Sequence, residues 1–383
     1  MEFLDRLKPH VHIIILCICW YTISSLGSQV TKKILTVCPL PLFLGEFQFI
    51  YTALLAAISC YAASRSNSIY EIFPVGTFPD KAAKVIITKP SRHIFETVLP
   101  LGLFQFVGKY FGHTATSLVP VSTVASTKTL SPVFILLFQK LLRIKTLRFT
   151  GVLSFSLISL ILGVWIIVRE DSKFHRTSVS DGDGYSTYGV FCAIVSMFIF
   201  VFQNIYGKKV FTFKSSTLKL DNLHREESPL PLYSGKKVES KFRPVLPAQK
   251  YDKLTLMIYI STVGFMLSLG WFLTLEFPVL VRYVIYEEKI DKIEYIPWKL
   301  FLLNGTLHFV QAMVTFHLLG ELSTLTYSIA NLMKRIAIIS VSWIIASRSI
   351  NYLQVFGLLI NALGLFLYER CSNEQKLQKL RPE

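Results

Sequence analysis

Three cations in two apolar stretches are the residues best placed to do chemistry: Lys128 in SLVPVSTVASTKTLSPVFILLF, and Lys334 with Arg335 in STLTYSIANLMKRIAIISVSWII. About 20 apolar residues cross a bilayer as a helix, so each cation falls near the midplane. A bare cation there costs between about 2.5 and more than 10 kcal/mol, and it persists where it faces a wet cavity and meets an anion. The depth argues against snorkelling to the surface. Neither stretch contains an acid. The partner this pattern calls for is an anion that comes and goes, most simply a phosphate group. A Lys point charge and an Arg fork suit its oxygens well.

The neighbours fit the same chemistry. Pro132 lies four positions after Lys128 and has no N–H, so the Lys128 carbonyl loses its helical partner and a bend is expected there. Ser131 could donate to a ligand from the same face. Tyr327, Asn331 and Lys334 recur at helical spacing and share a face, with Arg335 one turn beyond Asn331.

The elements that must position these residues follow from composition. Of 383 residues, 52% are hydrophobic and only 17% charged, which indicates an integral membrane protein of all-α class. Ten candidate spans lie at roughly 11–35, 40–63, 94–113, 115–138, 149–168, 187–211, 254–284, 299–319, 322–346 and 351–368. The first run is too long for a signal-peptide core and lacks a cleavage site, so it is expected to be retained. The net charge of +16 is uneven. Lys140, Arg143, Lys145 and Arg148 form an acid-free turn, and Lys81, Lys84, Lys89 and Arg92 precede the third span; both belong in the cytoplasm. Opposite them fall a turn with Glu170, Asp171, Asp181 and Asp183, and another with Glu287, Glu288, Asp291 and Glu294. Both termini are then cytoplasmic. The positive-inside bias accounts for the basic surplus, and no nucleic-acid partner is expected. Cys17, Cys19, Cys60 and Cys192 read as small buried hydrophobes without metal or disulfide spacing.

A five-span unit occurs twice, giving a first repeat over 1–170, a second over 171–370 and a cytoplasmic tail over 371–383. A Ser-, Lys- and Pro-rich stretch at 214–252 reads as a disordered cytoplasmic linker, and IYEIFPVGTF as an interfacial segment. Three matches recur in the same order. Gln29 to Ile34 resembles Ile205 to Val210; Gly151 follows Lys128 at the interval by which Gly357 follows Lys334; Gly163 to Arg169 resembles Gly364 to Arg370. An odd number of spans per copy makes the copies inverted, as in alternating-access carriers, and brings Lys128 and Lys334 to a pseudo-two-fold axis.

The strings Ser117 to Phe134, Leu325 to Arg335 and Asn204 to Lys209 resemble the triose-phosphate translocator branch of the drug/metabolite transporter superfamily, over nearly all ten spans. Within that branch it resembles a fungal member of the endoplasmic reticulum associated with suppression of vesicle-traffic defects. It implies that membrane, with the early Golgi as a second expected location, and a phosphate clasp at Lys128, Lys334 and Arg335. Where plastid relatives carry a His that recognises the triose, this sequence has Lys109; where they carry a Tyr, it has Gln311. The phosphate clamp is kept and the organic end altered. Lys109 is expected either to contact a carboxylate or second phosphate, or to pair with Glu46.

Glu46 is a further candidate, as a proton carrier or a structural partner. Lys32, Lys33, Lys208 and Lys209 read as anchors at span ends, and His308 and His317 as structural. The Asn304-Gly305-Thr306 sequon sits in an apolar run where glycosylation is not expected. No nucleophile triad, metal spacing or phosphate-binding Gly loop is present, so neither an enzyme nor a cofactor is expected. The reading is a ten-helix antiporter exchanging three-carbon or sugar phosphates for inorganic phosphate. The alternatives are a nucleotide-sugar transporter and a non-transporting trafficking factor.

Overall fold

The computed structural model describes residues 11–74, 76–79, 86–141, 150–178, 187–203, 206, 252–285, 293–322, 324–346 and 350–380. All regular structure among them is helical. In chain order the helices are α1 (Val11–Val37), α2 (Pro41–Arg65), α3 (Asn67–Ile72), α4 (Arg92–Leu118), α5 (Val121–Thr129), α6 (Ser131–Leu141), α7 (Gly151–Ser178), α8 (Thr187–Gln203), α9 (Lys253–Leu275), α10 (Phe277–Ile285), α11 (Trp298–Glu321), α12 (Thr324–Ile345) and α13 (Tyr352–Leu380). Among the described residues, six segments are long and apolar enough to cross a membrane: α1, α2, α5 with α6, the bulk of α7, α9, and the bulk of α13. Large apolar side chains such as Ile158, Trp165, Met266 and Phe356 stay exposed on their outer faces, as lipid contact requires.

Two of the expected spans are broken, each for a visible reason. Between α5 and α6 the Leu130 N–H turns to the Thr127 carbonyl at 3.1 Å, one residue before the Ser131-Pro132 pair. Between α9 and α10 stands Glu276, whose carboxylate accepts the N–H groups of Leu42 (2.9 Å) and Phe43 (2.7 Å). Those are orphan donors in the first turn of α2, which Leu40 does not cap with a side chain.

Other expectations need correction. Glu170 and Asp171 do not lie in a turn, because α7 continues through the expected repeat boundary at 170; both are buried. The stretch read as a cytoplasmic tail continues α13 as helix as far as Leu380, which leaves that reading as it stood. The interfacial segment begins with the six-residue helix α3, and its Tyr70, Phe73 and Phe78 pack on Ala56, Cys60 and Leu254. Of the four span cysteines, Cys60 and Cys192 are buried, Cys17 is half-buried and Cys19 is exposed. The Arg143, Lys145 and Arg148 turn, Lys81, Lys84, Asp181, Asp183, Glu287, Glu288, Asp291, the 214–251 linker and Lys208 with Lys209 lie outside the described residues.

The most extensive helix contact among the described residues joins α7 to α13. A Cβ added to Gly163 would stand 2.7 Å from the Gly357 carbonyl oxygen and 2.7 Å from the Asn361 nitrogen. One added to Gly364 would stand 2.8 Å from the Ser156 oxygen and 2.9 Å from the Leu160 nitrogen. The missing side chains let the backbones touch, which is how helices adhere where the surrounding solvent is itself apolar.

Candidate functional site

A cavity of about 450 Å³ opens among α1, α2, α4, α5, α8, α11 and α12. Lys109, Lys128, Lys334 and Arg335 all line it, and none of the lining residues is Asp or Glu. The helices that supply the cations are positioned by particular bonds. Because Pro132 cannot donate, the Lys128 carbonyl lacks its usual helical donor four residues on; besides the Leu130 N–H it accepts from Arg335 Nη1 at 2.7 Å, and the same Nη1 donates to Ser131 Oγ at 3.2 Å. The guanidinium thereby joins α12 to the α5–α6 break. Its Nε and Nη2 bond no protein group among the described residues, so part of the fork remains open to a ligand.

The two lysines rest on aromatic rings. Lys334 Nζ lies 4.2 Å from the centroid of Trp20, and Lys128 Nζ lies 5.7 Å from that of Phe200. Such contacts contribute about 0.5–2 kcal/mol each, less than the cost of a cation held away from water. Lys128 and Arg335 also act on Lys334 electrostatically, so the three repel one another. Glu369 on α13 is within electrostatic reach of Arg335 but makes no ion pair with it. Incoming negative charge would relieve this cluster.

The remaining predicted residues divide. Asn331 and Gln311 line the cavity beside the cations. Ser131 does not; it is the second acceptor for Arg335. Tyr327 does not either, since its ring stacks on Trp20 with centroids 5.7 Å apart. Glu46 lies behind the wall, hydrogen-bonded to Ser268 of α9, and forms no pair with Lys109, whose Nζ lies 4.4 Å from the Phe49 centroid. Lys32 is no surface anchor: Nζ donates to the carbonyls of Thr116, Ser117 and Val119 at 2.8–3.2 Å, capping the end of α4. Lys33 is exposed.

Several lining residues escaped the sequence reading. His308, read there as structural, faces the cavity together with His113, Gln48 and Gln105. His113 Nε2 is 3.3 Å from Gln48 Oε1. The one available signal is spacing, because Gln105, Lys109, His113 and Thr116 fall on a single face of α4. His317 makes ring contacts with His12 and Phe73 away from the cavity. The sequon Asn304 is buried, donating to Thr31 Oγ1 (2.8 Å) and accepting from Gln48 (2.7 Å), so its amide is unavailable for modification.

Residues 11–227 and 232–369 match the Triose-phosphate Transporter family. The chain belongs to that family. It is 60% identical to the uncharacterized transporter YJL193W of Saccharomyces cerevisiae, over 98% of each chain. It is 32% identical to the uncharacterized transporter SLY41 of the same yeast, over 96% of this chain and 82% of that one. A putative transporter of Schizosaccharomyces pombe, C83.11, is 30% identical over 94% of this chain and 66% of its own length. The protein is therefore a multi-pass membrane transporter for small molecules and not an enzyme, which matches the absence of any catalytic constellation in the sequence.

Proposed function

We propose that the protein exchanges an organophosphate for inorganic phosphate by alternating access, with Lys128, Lys334 and Arg335 as the phosphate clasp. The observation that carries this reading is the acid-free cavity to which four cations contribute. At roughly 300–1,000 Å³, sites for small ligands have about this size, and three-carbon or sugar phosphates fit within it. Exchange follows from charge. An empty clasp leaves like charges facing each other in a low-dielectric space, which opposes the unloaded transition, whereas a bound anion permits it.

The architecture in this reading is ten membrane spans arranged as two inverted five-span repeats. The α7–α13 contact supports it. Exchanging Gly163 with Gly364, and Asn361 with Leu160, carries one close approach into the other, and Gly357 exchanges with Ser156 in the same way. This is the pattern a pseudo-two-fold axis produces. It also revises one correspondence: Gly151 pairs with Tyr352, the first residue of α13, and not with Gly357. Lys128 and Lys334 then stand on related helices. The basic turns assign both termini to the cytoplasm, and the family resemblance assigns the protein to the endoplasmic reticulum membrane.

The test is reconstitution into liposomes. Uptake of labelled phosphate should require phosphate or an organophosphate inside, and both Lys128→Ala and Lys334→Ala should abolish it. Equal uptake into empty and loaded vesicles would refute obligatory exchange. Competition by nucleoside monophosphates, but not by inorganic phosphate, would point instead to nucleotide sugars.

A further inference from the structure

A second cavity, of about 440 Å³, opens at the C-terminal end of α2 and shares no lining residue with the first. Its floor is apolar: Cys60, Ala63 and Phe78 are buried and belong to one packed cluster. Its rim carries a single charge, with Ser64 and Arg65 exposed where α2 turns into α3. None of the lining residues is Asp or Glu, and the acid closest in sequence to Arg65, Glu71 on α3, is exposed and lies outside the lining. The walls are held in place. The Gly76 and Thr77 carbonyls accept the N–H groups of Lys253 (3.0 Å) and Leu254 (3.2 Å), and Thr88 donates to Asp252 (2.9 Å) while accepting from Tyr259 (2.7 Å). Both limbs of the connection that supplies Phe78 and Ile86 to the cavity are thereby tied to the N-terminal end of α9, which makes this a pre-formed pocket of ligand-binding size.

Its place in the membrane narrows what it can hold. α2 is 25 residues long and apolar enough to cross a bilayer, so its last residue, Arg65, stands at headgroup depth. Ile50, Leu54, Ile58 and Tyr61 are each just over half exposed and recur at helical spacing, a stripe that lipid tails cover and that enters the cavity at Tyr61. Arg65 is one turn further on. Its guanidinium carbon lies 5.6 Å from the Tyr61 ring centroid, and it makes no ion pair or hydrogen bond among the described residues, so the fork is oriented while its N–H groups stay available. A phosphodiester suits such a fork. A soluble phosphate would use the fork and leave stripe and floor idle, whereas a phospholipid uses all three. With no acid in the lining to receive an ammonium, a choline headgroup gains nothing from its second charge.

α7 supplies an internal contrast. Its exposed Ile158, Leu162 and Trp165 lead to Arg169, whose guanidinium carbon lies 5.1 Å from the Trp165 ring centroid, yet Arg169 lines neither cavity. Stripe and stacked arginine are shared; the pocket is what α2 adds.

We infer that the pocket at the end of α2 binds an anionic glycerophospholipid, with an acyl chain along the α2 stripe and the phosphodiester on Arg65. The test takes the full chain in detergent and follows its apparent unfolding temperature during titration with dioctanoyl phosphatidylinositol, phosphatidylglycerol or phosphatidylcholine, or with chain-free glycerophosphoinositol. Half-maximal stabilisation by at least one anionic lipid should come at a concentration about fivefold or more below that for phosphatidylcholine, the factor one basic residue supplies at a membrane surface. Arg65→Gln should erase that ratio, Ser64→Trp should erase it independently by plugging the mouth, and Arg169→Gln should leave it unchanged. Equal potency of anionic and choline lipids in the wild type would overturn the site, as would a ratio that survives Arg65→Gln or Ser64→Trp, or one lost equally in Arg169→Gln. Either pocket variant decides by itself if the other does not fold. Glycerophosphoinositol as potent as its lipid would overturn the lipid in favour of a soluble anion. The pocket stands apart from the clasp: a ratio carried by the clasp cavity would survive Arg65→Gln, and failure of phosphate exchange would leave the lipid ratio untouched.

Discussion

Asp171 and Lys334 are both ionic side chains carried into the helical bundle, and their surroundings differ in kind. Asp171 is fully buried and accepts hydrogen bonds from Ser122 (2.5 Å) and Thr123 (2.9 Å) of α5, from Trp343 Nε1 (3.3 Å) of α12 and from Gln354 (3.0 Å) of α13. Next to it Glu170 accepts from Asn351 and Lys173. Lys334 has an aromatic ring on one side, cavity on the other and two further cations nearby. One charge is matched by the fold and the other is not. Burial alone therefore does not mark a functional site; what marks it is burial without sufficient compensation from the protein.

The largest effect that could break this contrast lies in the clasp. Lys128→Ala or Lys334→Ala should lower exchange by about 100-fold or more, the loss expected for a charge-assisted contact in a dry site. Yet the apparent unfolding temperature without ligand should hold or rise, since a costly cation has gone. Added phosphate should raise that temperature in the wild type and not in either variant, because only a ligand bound to the native state stabilises it. A fall in ligand-free stability would put these lysines in the same class as Asp171.

Asp171 should behave the opposite way. Asp171→Ala strands donors from three helices and should cost about 3–5 kcal/mol, read as a lowered unfolding temperature in detergent, with Asp171→Asn costing less. Next in size is the α7–α13 seam, where Gly163→Ala and Gly364→Ala should each cost about 1–3 kcal/mol through backbone displacement, and by similar amounts if the two positions are symmetry-related. The smallest effect belongs to Lys32→Met, which removes the α4 cap and should cost about 1–2 kcal/mol while phosphate still stabilises the protein.

The sequence and the structure agree best where a residue contradicts its own surroundings. Lys128, Lys334 and Arg335 stand out because cations interrupt apolar runs, and their gathering at one cavity could be anticipated from the runs alone. His113, His308 and Gln48 carry no such contradiction; neutral polar residues on a helix look alike whether they face a cavity or a neighbour. Asp171 misleads for a related reason. An acid just after an apolar run reads as the start of a solvated turn, and only the tertiary donors on α5, α12 and α13 reveal that the helix continues. The helices that line the cavity explain a further gap. α4, α11 and α12 carry Lys109, Asn304, His308 and the Lys334–Arg335 pair, and none of the three is among the six segments apolar enough to stand out as spans. Function has diluted the very signal by which a membrane helix is recognised.

Pro132 has a consequence of its own. An arginine inside a bilayer is usually fixed in place by a carboxylate, which would orient it and cancel it together. Here the imino acid withholds the usual helical donor from a main-chain oxygen, and that dipole steadies Arg335 without discharging it. The side chain is held in place by a group that carries no net charge. Putting back a peptide hydrogen with Pro132→Ala would set an intrahelical suitor against Arg335 for the same oxygen, loosening the receptor while every cation remains in the sequence.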